Sequence, residues 1–262
     1  MENIINHVHV NVPFTMLLES YLDIFLDYKL NPEIGLDYPA LTGFSIDDFK
    51  RVAQKFQERN LKITFHGPFM DISPGSRDKD IRAVAKKRFE QMLELVPVFN
   101  PVTVVCHAGY DRRHFSWYRE DWLANSIDMW TWLSGRLSDE GSRLMLENVY
   151  EDGPEDIQVV FESLAAHDVG FCFDIGHQAA FGKASVSSWL NTLGQYLGQL
   201  HLHDNCGDWD DHVAIGQGTI NYQPLWDHLL TMKDRLPVIT LEPHEEKDLW
   251  PSIVELEKLK LF

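Results

Sequence analysis

The chain has 262 residues and 44% hydrophobic content, enough to bury a full core, and its length suits one α/β barrel of about 250 residues. It sets 23 basic against 40 acidic residues, a formal charge of −17, which repels polyanions at long range and makes nucleic acid an unfavoured partner. An apolar run of about 18 residues is missing, Met1 to Asn11 lacks a secretory signal's basic and apolar regions, and Cys106, Cys172 and Cys206 show no paired spacing; a cytoplasmic chain with reduced thiols and no membrane span is expected.

Short apolar runs alternate with amphipathic stretches along the chain. In order, the predicted strands are Ile4–Val10, Glu33–Asp37, Leu61–Phe65, Val102–Cys106, Arg143–Leu146, Val169–Phe173, Gln199–Leu202 and Val238–Leu241. After the second, Ser45 reads as an N-cap, with Phe49, Val52, Ala53 and Phe56 on one helical face. After the third, Ile81, Val84, Ala85, Phe89, Met92 and Val96 form a helical stripe. The basic residues Arg77, Lys79, Arg82, Lys86, Lys87 and Arg88 have the spacing of that helix's solvated face. After the fifth, Pro154 suits a first helical position, followed by Ile157, Val160, Phe161 and Leu164. Strands alternating with helices imply a parallel sheet covered by helices. Eight repeats in a single domain favour closure into a (β/α)8 TIM barrel spanning 1–262 over an open, doubly wound sheet.

From the third strand onward, every strand end carries a residue able to bind metal. These are His66, His107, Glu147, Asp174 with His177, His201 with His203 and Asp204, and Glu242 with His244. In a parallel barrel these ends converge on the face where the active site is built. Apolar residues precede each of them, so the carboxylates stand at the rim of a dry core, where a divalent cation would neutralise them. Taken singly, each has an ordinary alternative: a hydrogen-bonded rim histidine, or an acid serving as helix N-cap, as Asp204 would. Recurrence at six consecutive strand ends favours the metal reading. The glycine-bearing loop Gly207–Ile220 adds Asp210 and His212 as an Asp-x-His pair able to fold back over the site, or else an Asx-rich loop turning at Gly216 and Gly218. Mixed His, Asp and Glu donors suit Zn²⁺ or Mn²⁺ better than Ca²⁺ or Mg²⁺.

The motifs His66-Gly-Pro, His107-Ala-Gly, Leu-Glu147-Asn, Phe-Asp174-Ile-Gly-His177, His201-Leu-His-Asp-Asn, Asp210-Asp-His212 and Leu-Glu242-Pro resemble those of the xylose isomerase-like TIM barrels. The resemblance is to their sugar phosphate isomerase/epimerase branch, with endonuclease IV as a relative, and it follows strand order over the whole chain. As the resemblance to the epimerases implies, one metal would be held by Glu147, Asp174, His201 and Glu242, with His177 at a substrate-contacting position. As that to endonuclease IV implies, nine ligands would hold up to three ions: His66, His107, Glu147, Asp174, His177, His201, Asp210, His212 and Glu242. The chain departs from both groups. Trp209 and acids stand where tagatose-type epimerases carry a sugar-binding arginine, and the loops Phe69–Ser76, Tyr110–Trp117 and Gln178–Lys183 do not match those of endonuclease IV. Because His201 and His203 share strand parity, either fits the seventh-strand position.

Two reactions are compatible with these residues. The leading expectation is isomerisation or epimerisation of a small-molecule sugar or sugar phosphate, with Glu147 and Glu242 removing and returning a carbon-bound proton and His177 polarising the carbonyl. Substrate contacts would come from His203, Trp117, Trp209, Phe69 and Arg112, the last with Arg113 as a phosphate acceptor. The alternative is phosphoester hydrolysis at a multinuclear centre. A metal-binding barrel without turnover is the non-enzymatic reading. Eight tryptophans would permit an apolar subunit interface without locating one.

Overall fold

Several helix starts in this chain are written by side-chain caps. In a computed structural model describing residues 2–232 and 235–261, Ser45 and Asp48 form a reciprocal capping box at the start of the helix Ile46–Glu58. Its Phe49, Val52, Ala53 and Phe56 are all buried, as their spacing predicts. Asp37, Asp78, Asp111, Asp174 and Ser185 cap further helices, each side-chain oxygen accepting a backbone N–H of the first turn.

Eight strands form one closed parallel barrel: β1 (Val8–Pro13), β2 (Asn31–Gly35), β3 (Thr64–His66), β4 (Thr103–His107), β5 (Arg143–Glu147), β6 (Gly170–Asp174), β7 (Leu197–Leu202) and β8 (Val238–Leu241). Each pairs with the next, and β1 closes on β8 through Val8–Ile239 and Val10–Leu241. The principal outer helices, one after each strand, are α1 (Leu22–Tyr28), α2 (Ile46–Glu58), α3 (Lys79–Leu93), α4 (Arg119–Asp139), α5 (Gln158–Ser163), α6 (Val186–Leu193), α7 (Gln223–Met232) and α8 (Glu246–Lys258). This is the TIM barrel that the strand count predicts. Among the described residues, no helix is long and apolar enough to cross a membrane.

Several predicted boundaries move. β1 starts at Val8 because Glu2–Ile5 is a helical turn, and the Asn31 amide ties down the chain between them by donating to the carbonyls of Ile5, Asn6 and Val8. β2 starts at Asn31 and ends at Gly35, since Asp37 is a helix cap. β3, β4, β5 and β6 run on to include His66, His107, Glu147 and Asp174, so these side chains sit on strand backbone. Pro154 opens a 3-10 turn, and α5 follows at Gln158. On α3, Ala85, Phe89 and Met92 are buried, whereas Ile81 and Val84 are exposed. The basic residues there are dispersed: Arg77 pairs with Asp121 at 2.8 Å and lies over Tyr118, Lys86 lies over Trp132, and Arg88 lies over Tyr38. All three cysteines are free, with Cys106 and Cys172 buried and Cys206 exposed.

The core between strands and helices is aromatic around β6, where Phe171 and Phe173 stack on Trp189 of α6 and Phe161 of α5 meets Phe171. A layer of side chains within the barrel is polar, although apolar branched residues dominate most such interiors. Glu33, fully buried, accepts hydrogen bonds from Thr64 (3.0 Å), Thr240 (3.0 Å), Gln199 (2.5 Å) and Asn11 (3.2 Å). This layer is the floor on which the strand-end residues stand.

Candidate metal centre

The strand ends deliver their ionisable side chains to one buried cluster. His66, His107, Glu147 and Asp174 are the last residues of β3 to β6, His201 lies near the end of β7, and Glu242 follows β8. His177 enters from the first turn after β6, where the Asp174 carboxylate accepts its backbone N–H at 2.6 Å. Asp210 and His212 arrive on the loop after β7, which Asp204 pins: its carboxylate accepts N–H groups from Asn205, Gly216 and Ile220. Asp204 also bridges Val213 through its backbone, so it organises this loop and does not cap a helix. Gly218 is required there, because a Cβ would collide with the Asn205 backbone and the Asp204 carboxylate. His212 sits at φ 52, a left-handed conformation that a non-glycine residue holds only when its surroundings fix it.

Among the described residues, the donor atoms gather into four overlapping groups, each with its atoms within 4.8 Å of one another. The first is His66, His107 and Glu147, with Glu147 Oε2 at 3.3 Å and 3.5 Å from the two Nε2 atoms. In the second, Glu147, Asp174, His201 and Glu242, His201 Nδ1 lies 3.2 Å from Glu147 Oε1 and 3.1 Å from Glu242 Oε1. The third is His177, Asp210 and His212, with Asp210 Oδ2 at 3.2 Å and 3.0 Å from the two Nε2 atoms. His203, His212 and Glu242 make the fourth. Ligands about 2.0–2.1 Å from a tetrahedral zinc stand roughly 3.3–3.4 Å apart, so these spacings fit the ion.

The far ring nitrogens are held as metal-binding imidazoles require. His66 Nδ1 faces the Gly67 carbonyl (3.0 Å), His177 Nδ1 the Asn148 carbonyl (3.1 Å) and His212 Nδ1 the Glu242 carbonyl (2.8 Å). His201 Nε2 faces Glu33 Oε1 at 2.9 Å. Asn148 also bonds both backbone groups of Asp174, which locks β5 to β6 beside the cluster. His203 stacks on His212 with centroids 3.6 Å apart, and His212 in turn stacks on His244 at 3.9 Å. Phe69 covers His66 and His107.

Electrostatically the cluster is a set of acids compensated by imidazoles. Burial pushes the Glu147 carboxyl up, and His201, His107 and His177 more than reverse this, leaving it well below the usual range. Glu33 behaves alike and is held down to about 2, chiefly by His201. Burial opposes the charging of His177 and His201, yet the surrounding carboxylates raise both well above the ordinary histidine value. His107 is driven down to about 3 by burial, and burial raises Glu242. Divalent cations would supply the same neutralisation and displace those protons. The residues fit such ions on a second ground: Glu147 Oε2, Asp210 Oδ1 and His203 Nδ1 are buried without any hydrogen-bond partner.

The remaining predicted contacts lie apart. Trp117 and Trp209 are 87% and 67% exposed, and neither lines the cavity of about 450 Å³ that reaches the cluster. Arg112 is also absent from that lining: it starts a short helix leading away from β4 and pairs with Asp152 at 3.0 Å, while Arg113 pairs with Asp111. His203 is buried within the cluster, its Nε2 3.2 Å from Asp174. Sequence reasoning missed Glu33 and the orienting roles of Asn148 and His244. Position alone signals Asn148 and His244, which adjoin ligand-bearing strand ends. The sequence places Glu33 within a strand, but its partners Asn11, Thr64, Gln199 and Thr240 come from four other strands.

The closed barrel and its ring of strand-end donors define a class, and residues 27–258 match the family model described as xylose isomerase-like TIM barrel; the chain belongs to that family. The uncharacterised protein MJ1311 of Methanocaldococcus jannaschii is 28% identical over 169 residues, covering 62% of this chain and 58% of that protein, so the match spans less than two thirds of the relative's length. The structure of the TTHB071 protein from Thermus thermophilus, soaked with ZnCl2, is similar with a TM-score of 0.82 and 26% identity, covering 97% of each chain. A D-tagatose 3-epimerase-like protein shares the fold with a TM-score of 0.79 and 23% identity, again over 97% of each chain.

Proposed function

We propose that this chain is a multinuclear, zinc-type hydrolase of phosphoesters. One observation carries the reading: Glu147 turns one oxygen to His66 and His107 and the other to His201, so two donor groups share a carboxylate, with His177, Asp210 and His212 forming a third group beside them. A single ion would leave most of these buried donors unused. Divalent ions in such groups supply an activated water and neutralise charge on phosphoryl oxygens.

The chain's own residues supply placement. Glu147 fixes the separation of the two groups it joins, and Glu33 and the Asn148, Gly67 and Glu242 carbonyls hold the imidazoles in the tautomers that point a bare nitrogen inward. Phe69 shields His66 and His107 from water. Among the described residues, the cavity lining contains no lysine or arginine, so a bound phosphoryl group would draw its positive counter-charge from the metal cluster.

A second reading has its own support. Glu147, Asp174, His201 and Glu242 form a complete four-donor group by themselves, and the D-tagatose 3-epimerase-like neighbour shares the fold. In that reading one ion would chelate a ketose, and Glu147 and Glu242 would relay a carbon-bound proton. The two differ in a direct assay. Zinc-loaded protein is expected to release nitrophenolate from bis(4-nitrophenyl) phosphate and to leave ketose C–H bonds unexchanged in D2O. Deuterium incorporation into a ketose, with no phosphodiester cleavage, would replace the hydrolase by the epimerase.

A further inference from the structure

The cavity that reaches the cluster is not confined to the barrel mouth. Beyond His66, Glu147, His177 and Glu242, its walls are Val10 and Val12 of β1, Ile24 and Phe25 of α1, and Leu30 and Leu249. These residues belong to the layer between the strands β1 and β2 and the helices α1 and α8. Leu30, just before β2, and Gly35, at its end, both line the space, and they stand roughly 16 Å apart at about 3.3 Å per residue. The inner end is closed by buried Val10, Phe25 and Leu30, whereas Met16, Phe69 and Met70 at the mouth are exposed. A π-helical turn, Leu17–Tyr21, precedes α1 and shapes this side; Met16 and Tyr21, at its two ends, line the space. Such turns recur at functional sites. Close-packed interiors rarely leave space beside so apolar a wall, and apolar voids take up apolar ligands.

We propose that this channel binds the hydrocarbon chain of a single-chain amphiphile whose phosphoester head group lies at the metal cluster. The head-group part rests on the hydrolase reading; the chain-binding part rests on the channel alone. A sugar would leave the apolar wall unused, whereas an alkyl or prenyl chain would follow it from the mouth to Leu30. Hydrolysis would form a P–O bond from water, break the P–O bond to the departing group, and move one water proton to that group's oxygen, with no redox partner needed. Phe69 and the flexible Met16 and Met70 would close over the junction between chain and head group.

The test uses zinc-loaded protein and 4-nitrophenyl n-alkyl phosphodiesters from methyl to dodecyl. The expected kcat/KM rises about two- to fourfold per methylene until the channel is full at about ten carbons, the ratio that burial of a CH2 group allows. Ile24→Trp, read as the ratio of decyl to methyl rates so that the folded fraction cancels, is expected to remove most of that rise. Hydrolysis of all esters at one rate, regardless of chain length, would overturn the channel while leaving the hydrolase standing. If no ester is cleaved but calorimetry shows n-alkyl phosphates binding with the same chain-length dependence, the channel stands and the hydrolase falls. Absence of both chain-length effects would overturn the inference.

Discussion

Replacing Glu33 by glutamine tests whether the barrel floor sets the chemistry of the cluster above it. The carboxylate accepts on both oxygens: Oε2 takes Thr64, Gln199 and Thr240, and Oε1 takes Asn11 and faces His201 Nε2 at 2.9 Å. A glutamine has one acceptor oxygen. If that oxygen keeps the three donors on the Oε2 side, its NH2 group opposes the Nε2–H of His201. The imidazole then has to shift its proton to Nδ1, the nitrogen that faces Glu147 and Glu242. A protonated Nδ1 cannot bind a cation. Loss of such an orienting partner costs about 10–100-fold in metal affinity, or roughly 1.4–2.7 kcal/mol. Competition titration with a chromophoric chelator should show one class of zinc weakened by that factor, with circular dichroism unchanged because volume is conserved. Wild-type affinity for every bound zinc in Glu33→Gln would refute the reasoning.

Other perturbations act on different parts of the account. Glu147→Gln removes the carboxylate shared by two donor groups, so metal content measured by emission spectroscopy should fall and phosphodiester turnover should drop at least about 100-fold; retained turnover would reject the shared role. Asp204→Ala frees three backbone N–H groups and should cost about 1–3 kcal/mol in urea unfolding, with the zinc held by His177, Asp210 and His212 the first to be lost. His9 is buried with neither ring nitrogen bonded, and burial lowers it to about 4 despite the nearby Glu33 charge. Above pH 6.5 it is neutral folded or unfolded. Below that the unfolded chain takes up a proton that the folded chain refuses, so stability is lost as the pH falls from 6.5 towards 4. The loss from this residue should be about 2 kcal/mol between pH 7.5 and pH 5, and absent in His9→Leu.

Much of the fold was legible because alternation of apolar runs with capped helices is local. Ser45, Phe49, Val52, Ala53 and Phe56 sit as their spacing predicts. Boundaries slipped where local signals mislead. Ile4 and Ile5 read as strand but lie in or end a helical turn, and the second strand, expected at Glu33–Asp37, begins at Asn31. His66, His107, Glu147 and Asp174 look like loop residues from hydropathy yet end their strands. The same four were conspicuous as donors, since an ionisable residue directly after an apolar run is unusual. Glu33 was not, because its meaning lies in contacts across the barrel interior at separations as long as Glu33 to Thr240. Nor was the channel, whose walls come from β1, β2, α1 and α8 and whose π-turn has no short-range sequence signature. The rim tryptophans illustrate the converse: Trp117 and Trp209 lie in loops after β4 and β7, but those loops carry them into solvent.

Zinc-edge anomalous diffraction from crystals grown with zinc tests the central claim most directly. Three peaks are predicted: one among His66, His107 and Glu147, one among Glu147, Asp174, His201 and Glu242, and one among His177, Asp210 and His212. A single peak at the four-donor group, with none at the other two at saturating zinc, would contradict the multinuclear account.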